Sequence, residues 1–128
     1  MARVGTVLAQ EGRVAVEAQN EVVLVGRVAA PAEERVLPSG SVLSTWRLVV
    51  DRPPPSRPTP DGVRVPTVDT LDCVAWTAGL RRTASGFRAG DVVVVHGALR
   101  RRFWRTGAAA ASRCEVEVTK ARRVRRAA

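Results

Sequence analysis

VDTLDCVAWTAGLRRTASGFRAGDVVVV, residues 68–95, holds a predicted strand, a short helix and the start of another strand. Residues 68–76 are rich in Val, Leu, Thr and Trp, which is typical of a strand. Leu80, Ala84 and Phe87 then recur at spacings of four and three before Gly90, a pattern that predicts one short helix with a glycine stop. The second strand of the stretch begins at Asp91 and continues into a run of valines.

The predicted strands around this unit extend it into a fold. Strands are predicted on either side of it, at residues 21–28, 41–50, 91–104 and 112–124, each bounded by turn residues. The order is therefore β-β-β-α-β-β, the order of the OB-fold, a five-stranded Greek-key barrel. Gly97, inside the fourth predicted strand, permits the bend that a barrel corner requires. The sequence predicts an all-β OB-fold with one short helix between strands three and four.

The chain has 128 residues, which fits one domain, predicted at residues 21–120. Residues 1–20 have a weak apolar pattern that suits either an added strand pair or a helix. Residues 51–66 hold six of the eight prolines, so they are neither strand nor helix. They form either a protruding loop or a proline-rich docking motif for another protein. Residues 121–128 form a basic C-terminal tail.

Charge indicates the kind of partner. The formal net charge is +9, and 20 of the 21 basic residues are arginine. The absence of isoleucine and tyrosine suggests a GC-rich genome, which explains arginine in place of lysine but not the excess of positive charge. A polyanionic partner is expected.

Catalysis has few candidate residues in this sequence. His96 is the sole histidine, and no nucleophile motif, phosphate-binding loop or paired carboxylates occur, so no enzyme activity, cofactor or metal is expected. Cys73 and Cys114 lie in strand-like apolar segments without a CxxC motif, which predicts free, buried thiols. The sequence has no secretion signal and no span of membrane length, so a cytoplasmic, nucleoid-associated protein is expected.

GALRRRFWR, residues 97–105, places arginines beside aromatic residues within the fourth predicted strand. Because side chains alternate along a strand, Arg100, Arg102 and Trp104 are predicted to share one face. Leu99, Arg101 and Phe103 are predicted on the other face.

The same alternation predicts which side chains of the neighbouring strands face the core. It places Trp46 in the core and Arg47 on the ligand surface of strand two. On strand three it turns Thr70, Asp72, Val74 and Trp76 outward, and Leu71, Cys73 and Ala75 inward.

Proteins that bind single-stranded nucleic acid combine a basic groove for phosphates with aromatic side chains on which bases stack. The outward residues supply both elements. Packing in the core or at a subunit interface is the alternative for the two tryptophans, and a solvated charged edge is the alternative for the arginines. The predicted nucleic-acid-binding residues are Trp104, Trp76, Arg100, Arg102, Arg47 and Arg105.

Four segments in order, NEVVLVGRV, STWRLVV, LDCVAWTAGL and FRAGDVVVVHGALRRRFW, resemble the bacterial single-stranded DNA-binding protein family over about residues 20–120. The resemblance implies an OB-fold that forms homodimers or homotetramers and wraps single-stranded DNA over its strands and loops. It implies base stacking on Trp104 and contacts from Arg100 and Arg102 to the DNA backbone. It also implies an aromatic residue at the end of strand three, where Trp76 lies.

The chain departs from the family pattern at several places. Thr70 stands where many members have a second stacking aromatic, and the Asp72 carboxylate near phosphates weakens binding unless an arginine pairs with it. The sequence ends at KARRVRRAA rather than in an acidic tip that recruits repair proteins. We therefore expect an accessory, tail-less member or a shortened chain, with weaker or more salt-sensitive binding.

Two other functions fit the sequence. One is a degenerate OB-fold that modulates another single-strand-binding or primosome-like protein, which the loss of an aromatic at Thr70 favours. The other is an RNA-binding OB protein, because base stacking does not distinguish ribose from deoxyribose. Binding of single-stranded DNA would serve replication, recombination or repair. In all three functions the protein is expected to bind its partner without catalysis.

Overall fold

The structure, a computed structural model, describes residues 7–10 and 13–128, with the backbone alone for the part before residue 17. The elements are β1 (Val7–Gln10), β2 (Arg13–Val16), β3 (Val22–Val28), β4 (Glu33–Val36), β5 (Val42–Asp51), β6 (Val68–Ala75), α1 (Ala78–Ser85), β7 (Val92–Thr106) and β8 (Ala109–Arg125).

One sheet forms the body of the fold, with the strand order β3-β7-β8-β6-β5-β4. A further antiparallel pairing, Arg27 with Val49 and Val28 with Leu48, joins β3 to β5. That pairing closes five strands into a ring and leaves β4 outside it, as a third partner of β5. The ring, with its single helix between β6 and β7, confirms the predicted OB-fold.

Two glycines allow the strands of the ring to approach closely. A Cβ atom at Gly26 would collide with the carbonyl oxygen of Val49, on the strand that closes the ring. A Cβ atom at Gly97 would collide with the carbonyl oxygen of Glu117, and the β7–β8 register shifts between His96 and Gly97. Both positions therefore require glycine because backbone occupies the space of a side chain.

The barrel interior is apolar and contains Trp46. This indole is 4% exposed, and its ring meets Phe87 edge to face with 5.7 Å between the ring centroids. Leu48 and Val95 are fully buried in the same cluster. The prediction that Trp46 belongs to the core is confirmed.

The helix ends earlier than the sequence predicts. Thr77 caps its N-terminus by accepting a hydrogen bond from the Leu80 amide, and Gly86, not Gly90, is the C-cap. Phe87 therefore lies beyond the helix, although it is buried as predicted. Gly90 has a φ of 89° and lies in the turn that leads into β7, where its left-handed backbone favours glycine.

The last two strands are longer than predicted. β7 and β8 pair from Val92 with Arg125 to Thr106 with Ala109, around a two-residue turn at Gly107 and Ala108. Gly107 has a φ of 62°, as hairpin turns of this length demand. The outer part of this hairpin extends away from the core, and its residues beyond Ala98 are mostly exposed.

The two cysteines differ, and the prediction that both are buried is wrong for Cys114. Cys73 has no exposed surface, and burial, with a smaller effect of Asp72, raises the pKa of its thiol to about 12. Cys114 pairs with Arg101 in the outer part of the hairpin and is exposed, because the apolar pattern of β8 continues past the end of the barrel.

The N-terminal segment and the proline-rich segment differ in backbone structure. Val7–Gln10 pairs antiparallel with Arg13–Val16, which is the strand-pair alternative, and residues 1–6 and 11–12 lie outside the described residues. Between Asp51 and Val68 the proline-rich segment contains neither helix nor strand. Among the described residues, no helix has the length and apolar character needed to cross a membrane.

Asp91 fastens the residues after β8 to the barrel. Its carboxylate is 2% exposed and accepts hydrogen bonds from the Arg88 and Ala127 amides. These bonds, and to a smaller extent Arg123, lower the pKa of Asp91 below its usual value. Its contribution to stability is therefore present above the pKa of an unfolded aspartate and is lost as the pH falls through the lowered pKa.

The closure at Gly26 gives a stability test. Gly26→Ala should lower the free energy of unfolding by about 1–3 kcal/mol, because the methyl group displaces the Val49 carbonyl. Gly79→Ala in α1 is the matched control, since no atom other than its chain neighbours and its own helix backbone lies within 4 Å of its Cβ position. It should leave stability unchanged or raise it by up to about 1 kcal/mol. Urea unfolding measures both, and equal effects would contradict the role of Gly26.

Candidate nucleic-acid interface

A groove crosses the outer surface of β5 and β6. One side is the segment from Ala29 through β4, and the other is the β7–β8 hairpin. The groove contains a cavity of about 490 Å³, and Ala29, Ala30 and Pro31 form an apolar part of its lining. A second cavity of about 270 Å³ lies nearer the hairpin end and is lined in part by Trp104.

Four arginines from four different strands line the larger cavity. Two were predicted, Arg47 on β5 and Arg102 on β7, and the structure adds Arg35 on β4 and Arg113 on β8. Guanidinium groups bind phosphates through paired N–H donors. The six-stranded sheet thus gathers cations that are distant in sequence around one polar groove.

Carboxylates lie between these arginines. Asp72 is within 3.5 Å of the Arg47 guanidinium and 3.3 Å of the Arg113 guanidinium, so it bridges the sheet and the hairpin. Glu115, whose side chain is 13% exposed, lies 3.6 Å from Arg102. The condition set by the sequence, that an arginine should pair with Asp72, is met by two arginines.

Trp104 stands beside this charged groove. It lines the smaller cavity together with Arg102 and Arg113, and it is 40% exposed. The Arg113 guanidinium carbon lies 6.0 Å from the centre of the indole, at the outer range of a cation–π contact. Its cross-strand neighbour is Ala111, which is too small to cover the ring. An aromatic surface and phosphate-binding groups therefore occur side by side.

The other predicted residues lie apart from this cluster. Arg100 is held by Glu117 at 3.0 Å and lines neither cavity. Trp76 follows the end of β6, is 37% exposed, and is also outside both linings. Arg105 alternates to the face opposite Trp104. The prediction that Val74 faces outward is wrong: the residue is 1% exposed, although it lines the larger cavity.

The opposite face of the hairpin has the predicted residues but no cavity among those described. Phe103 is 71% exposed, Leu99 is 47% exposed, and the Arg101 guanidinium lies 5.8 Å from the Phe103 ring centre. The alternation of side chains along β7 therefore separates two chemically different surfaces on one hairpin.

Sequence reasoning missed Arg35, Arg113 and Glu115. Arg35 lies in a strand whose four residues are all exposed and mostly charged, so no apolar alternation marked it. Arg113 could have been predicted from the sequence, because a two-residue turn at Gly107 and Ala108 sets Arg102 opposite Arg113.

Comparison with known proteins identifies the family. Residues 19–124 match the model of the single-strand binding protein family. The chain belongs to this family. Its members are non-catalytic DNA-binding proteins, which confirms the expectation that the chain is not an enzyme.

Two individual proteins are similar to this single-strand binding family member. A single-stranded DNA-binding protein of Thermotoga maritima is 31% identical over 87 residues, which cover 68% of this chain and 60% of that protein's length. The structure is similar to a Plasmodium falciparum SSB complex with ssDNA, with a TM-score of 0.64 and 20% identity over 85% of this chain and 96% of that one. The second comparison establishes the fold alone.

The paired carboxylates give a prediction for the groove. Asp72→Asn should raise the affinity for oligo(dT) about two- to fivefold at low salt, because it frees Arg47 and Arg113 from exposed ion pairs that contribute about 0.2–1 kcal/mol each. Asp69→Asn is the control with the same charge change, since Asp69 pairs with Arg52 outside both cavity linings. Fluorescence titration compares the two, and equal gains would mean that net charge alone matters.

Proposed function

We propose that this protein binds single-stranded DNA with little sequence preference, by stacking bases on Trp104 and Trp76 and holding phosphates with arginines. One observation carries the proposal: guanidinium groups from β4, β5, β7 and β8 converge on one groove beside an uncovered indole. Membership of the single-strand binding protein family supports the same ligand.

The chemistry of the groove accounts for low selectivity. Guanidinium groups contact phosphates, which are the same at every nucleotide, and an indole stacks on any base because every base has a π-face. The strong dependence of phosphate binding on salt follows from release of counterions.

The arginines have different tasks. Arg47 and Arg102, with Arg113 and Arg35, hold phosphates inside the groove. Arg100, which lies outside both cavity linings, holds a phosphate once that phosphate displaces Glu117, which lies on the same face. Arg105, on the opposite face of β7, contacts only DNA that continues around the end of the hairpin.

The cellular setting of this binding is part of the proposal. Single-stranded DNA arises during replication, recombination and repair, and a cytoplasmic, nucleoid-associated binder without catalytic activity suits all three.

A homo-oligomer is proposed as the binding form. Val23 and Val25 on the outer face of β3 are 57% and 55% exposed, and they pair with His96 and Val94 of β7. Neighbouring apolar side chains of this kind favour burial against a second copy. Light scattering after size exclusion should report a dimer or tetramer. Val25→Glu should lower the subunit number, whereas an unchanged mass, or a monomeric parent protein, would contradict this interface.

A second candidate is an interaction module that modulates another single-strand-binding or primosome-like protein. The observation that favours it is the pairing of Arg47, Arg100 and Arg102 with carboxylates, which reduces their attraction for phosphates. This function predicts negligible quenching by oligo(dT) together with co-purification of a partner protein. An RNA-binding function predicts tighter binding of oligo(U) than of oligo(dT).

The test of the main proposal is a titration of tryptophan fluorescence with oligo(dT), in parallel with oligo(U). Emission should be quenched, with affinity falling as salt rises. Trp104→Ala should weaken binding by about 1–3 kcal/mol, the contribution of one base stack. Phe103→Ala is the matched control, because this neighbouring aromatic lies on the opposite face and is 71% exposed. Absence of quenching by either oligonucleotide at low salt would refute the proposal.

A further inference from the structure

Arg81 in α1 occupies an unusual position for an arginine of a basic protein. Its Nη1 donates to the Trp76 carbonyl oxygen at 2.6 Å and to the Val42 carbonyl oxygen at 3.5 Å. Its Nε is buried without a hydrogen-bond partner, 3.9 Å from a carboxylate oxygen of Glu34. The side chain is 24% exposed, so the guanidinium is directed into the protein rather than toward a ligand.

The Arg81 guanidinium group holds the short connection that contains Trp76. Trp76 is the only residue between the end of β6 at Ala75 and the helix cap at Thr77. Its carbonyl oxygen lies outside the sheet ladder, and the charged donor of Arg81 satisfies it. The preceding residue, Ala75, is held by its pairing with Ser44 in the sheet, and Arg81 holds the peptide that follows Trp76. Together the two held peptides fix the direction of the Trp76 Cα–Cβ bond, and with it the region that the indole can reach.

We propose that Arg81 is a positioning residue for single-stranded DNA binding, which holds the exposed Trp76 indole in place for base stacking and ties it to β4 and β5. This inference rests on the proposed function for its ligand. Arg81 contacts no DNA, so it acts through Trp76, and the contact with Glu34 links that tryptophan to the strand that forms one side of the groove.

The first measurement needs no DNA. In a Trp104→Phe background the remaining tryptophans are Trp76 and the buried Trp46. Arg81→Met keeps an apolar stem but removes the donors, and it should lower the fluorescence anisotropy of Trp76 and increase its quenching by acrylamide. Arg82→Met, the adjacent residue with the same charge, should change neither. Unchanged Trp76 signals in Arg81→Met would overturn the proposal even if the protein bound no DNA.

The second measurement is a double-mutant cycle with oligo(dT). Arg81→Met should weaken binding about three- to tenfold when Trp76 is present and have little effect in a Trp76→Ala background, because interacting residues are non-additive. Arg81→Lys, which retains one charged donor, should recover part of the affinity, and thermal unfolding verifies that each variant is folded. Equal losses in both backgrounds would overturn the proposal.

The salt dependence distinguishes positioning from direct contact. A single-strand contact contributes about 0.7 to the slope of log affinity against log salt. Arg81→Met should leave that slope unchanged, whereas Arg113→Met, which removes a groove cation, should reduce it. A reduced slope in Arg81→Met would mean that Arg81 holds a phosphate itself, and the positioning role would be wrong.

Discussion

The pairing of β3 with both β7 and β5 is the constraint on which the molecule depends. Without the second pairing the sheet is open, and only the ladders from β7 through β8, β6 and β5 to β4 join the strands that provide the groove. The pairing is possible because Gly26 presents no side chain to the Val49 carbonyl. Once the ring is closed, β5 and β6 form the floor of a groove, and the β7–β8 hairpin rises beside it.

Charge is organised locally rather than as a uniform basic surface. The formal charge of +9 suggests a strongly cationic groove, yet Asp72 and Glu115 lie among the groove arginines within ion-pair distance. Much of the excess comes from arginines near the C-terminal end of β8, which lie away from the groove lining. The Asp72 and Glu115 carboxylates occupy places beside the guanidinium groups that phosphates would take, so these groups are held in position before a ligand arrives.

Sequence reasoning predicted the five strands of the ring, the helix position and the OB-fold, because apolar alternation and turn residues carry that information. It placed Trp46 inside and Arg47 outside for the same reason. It missed β4, whose pairing partner rather than its own composition makes it a strand. It also stopped β7 at Trp104, and so it lacked the cross-strand register that sets Arg113 beside Arg102. Alternation defines faces within one strand, whereas a site made by several strands requires their register.

The two-residue turn at Gly107 and Ala108 also bears on the order in which the fold assembles. The entropy cost of pairing β7 with β8 is small, because the turn closes almost no loop. The ring, by contrast, requires the pairing of Val22 with Gly97, which are far apart in sequence. Contacts so distant in sequence form slowly. We therefore expect the hairpin, with Trp104 and Arg113 already beside each other, to form before β3 closes the barrel.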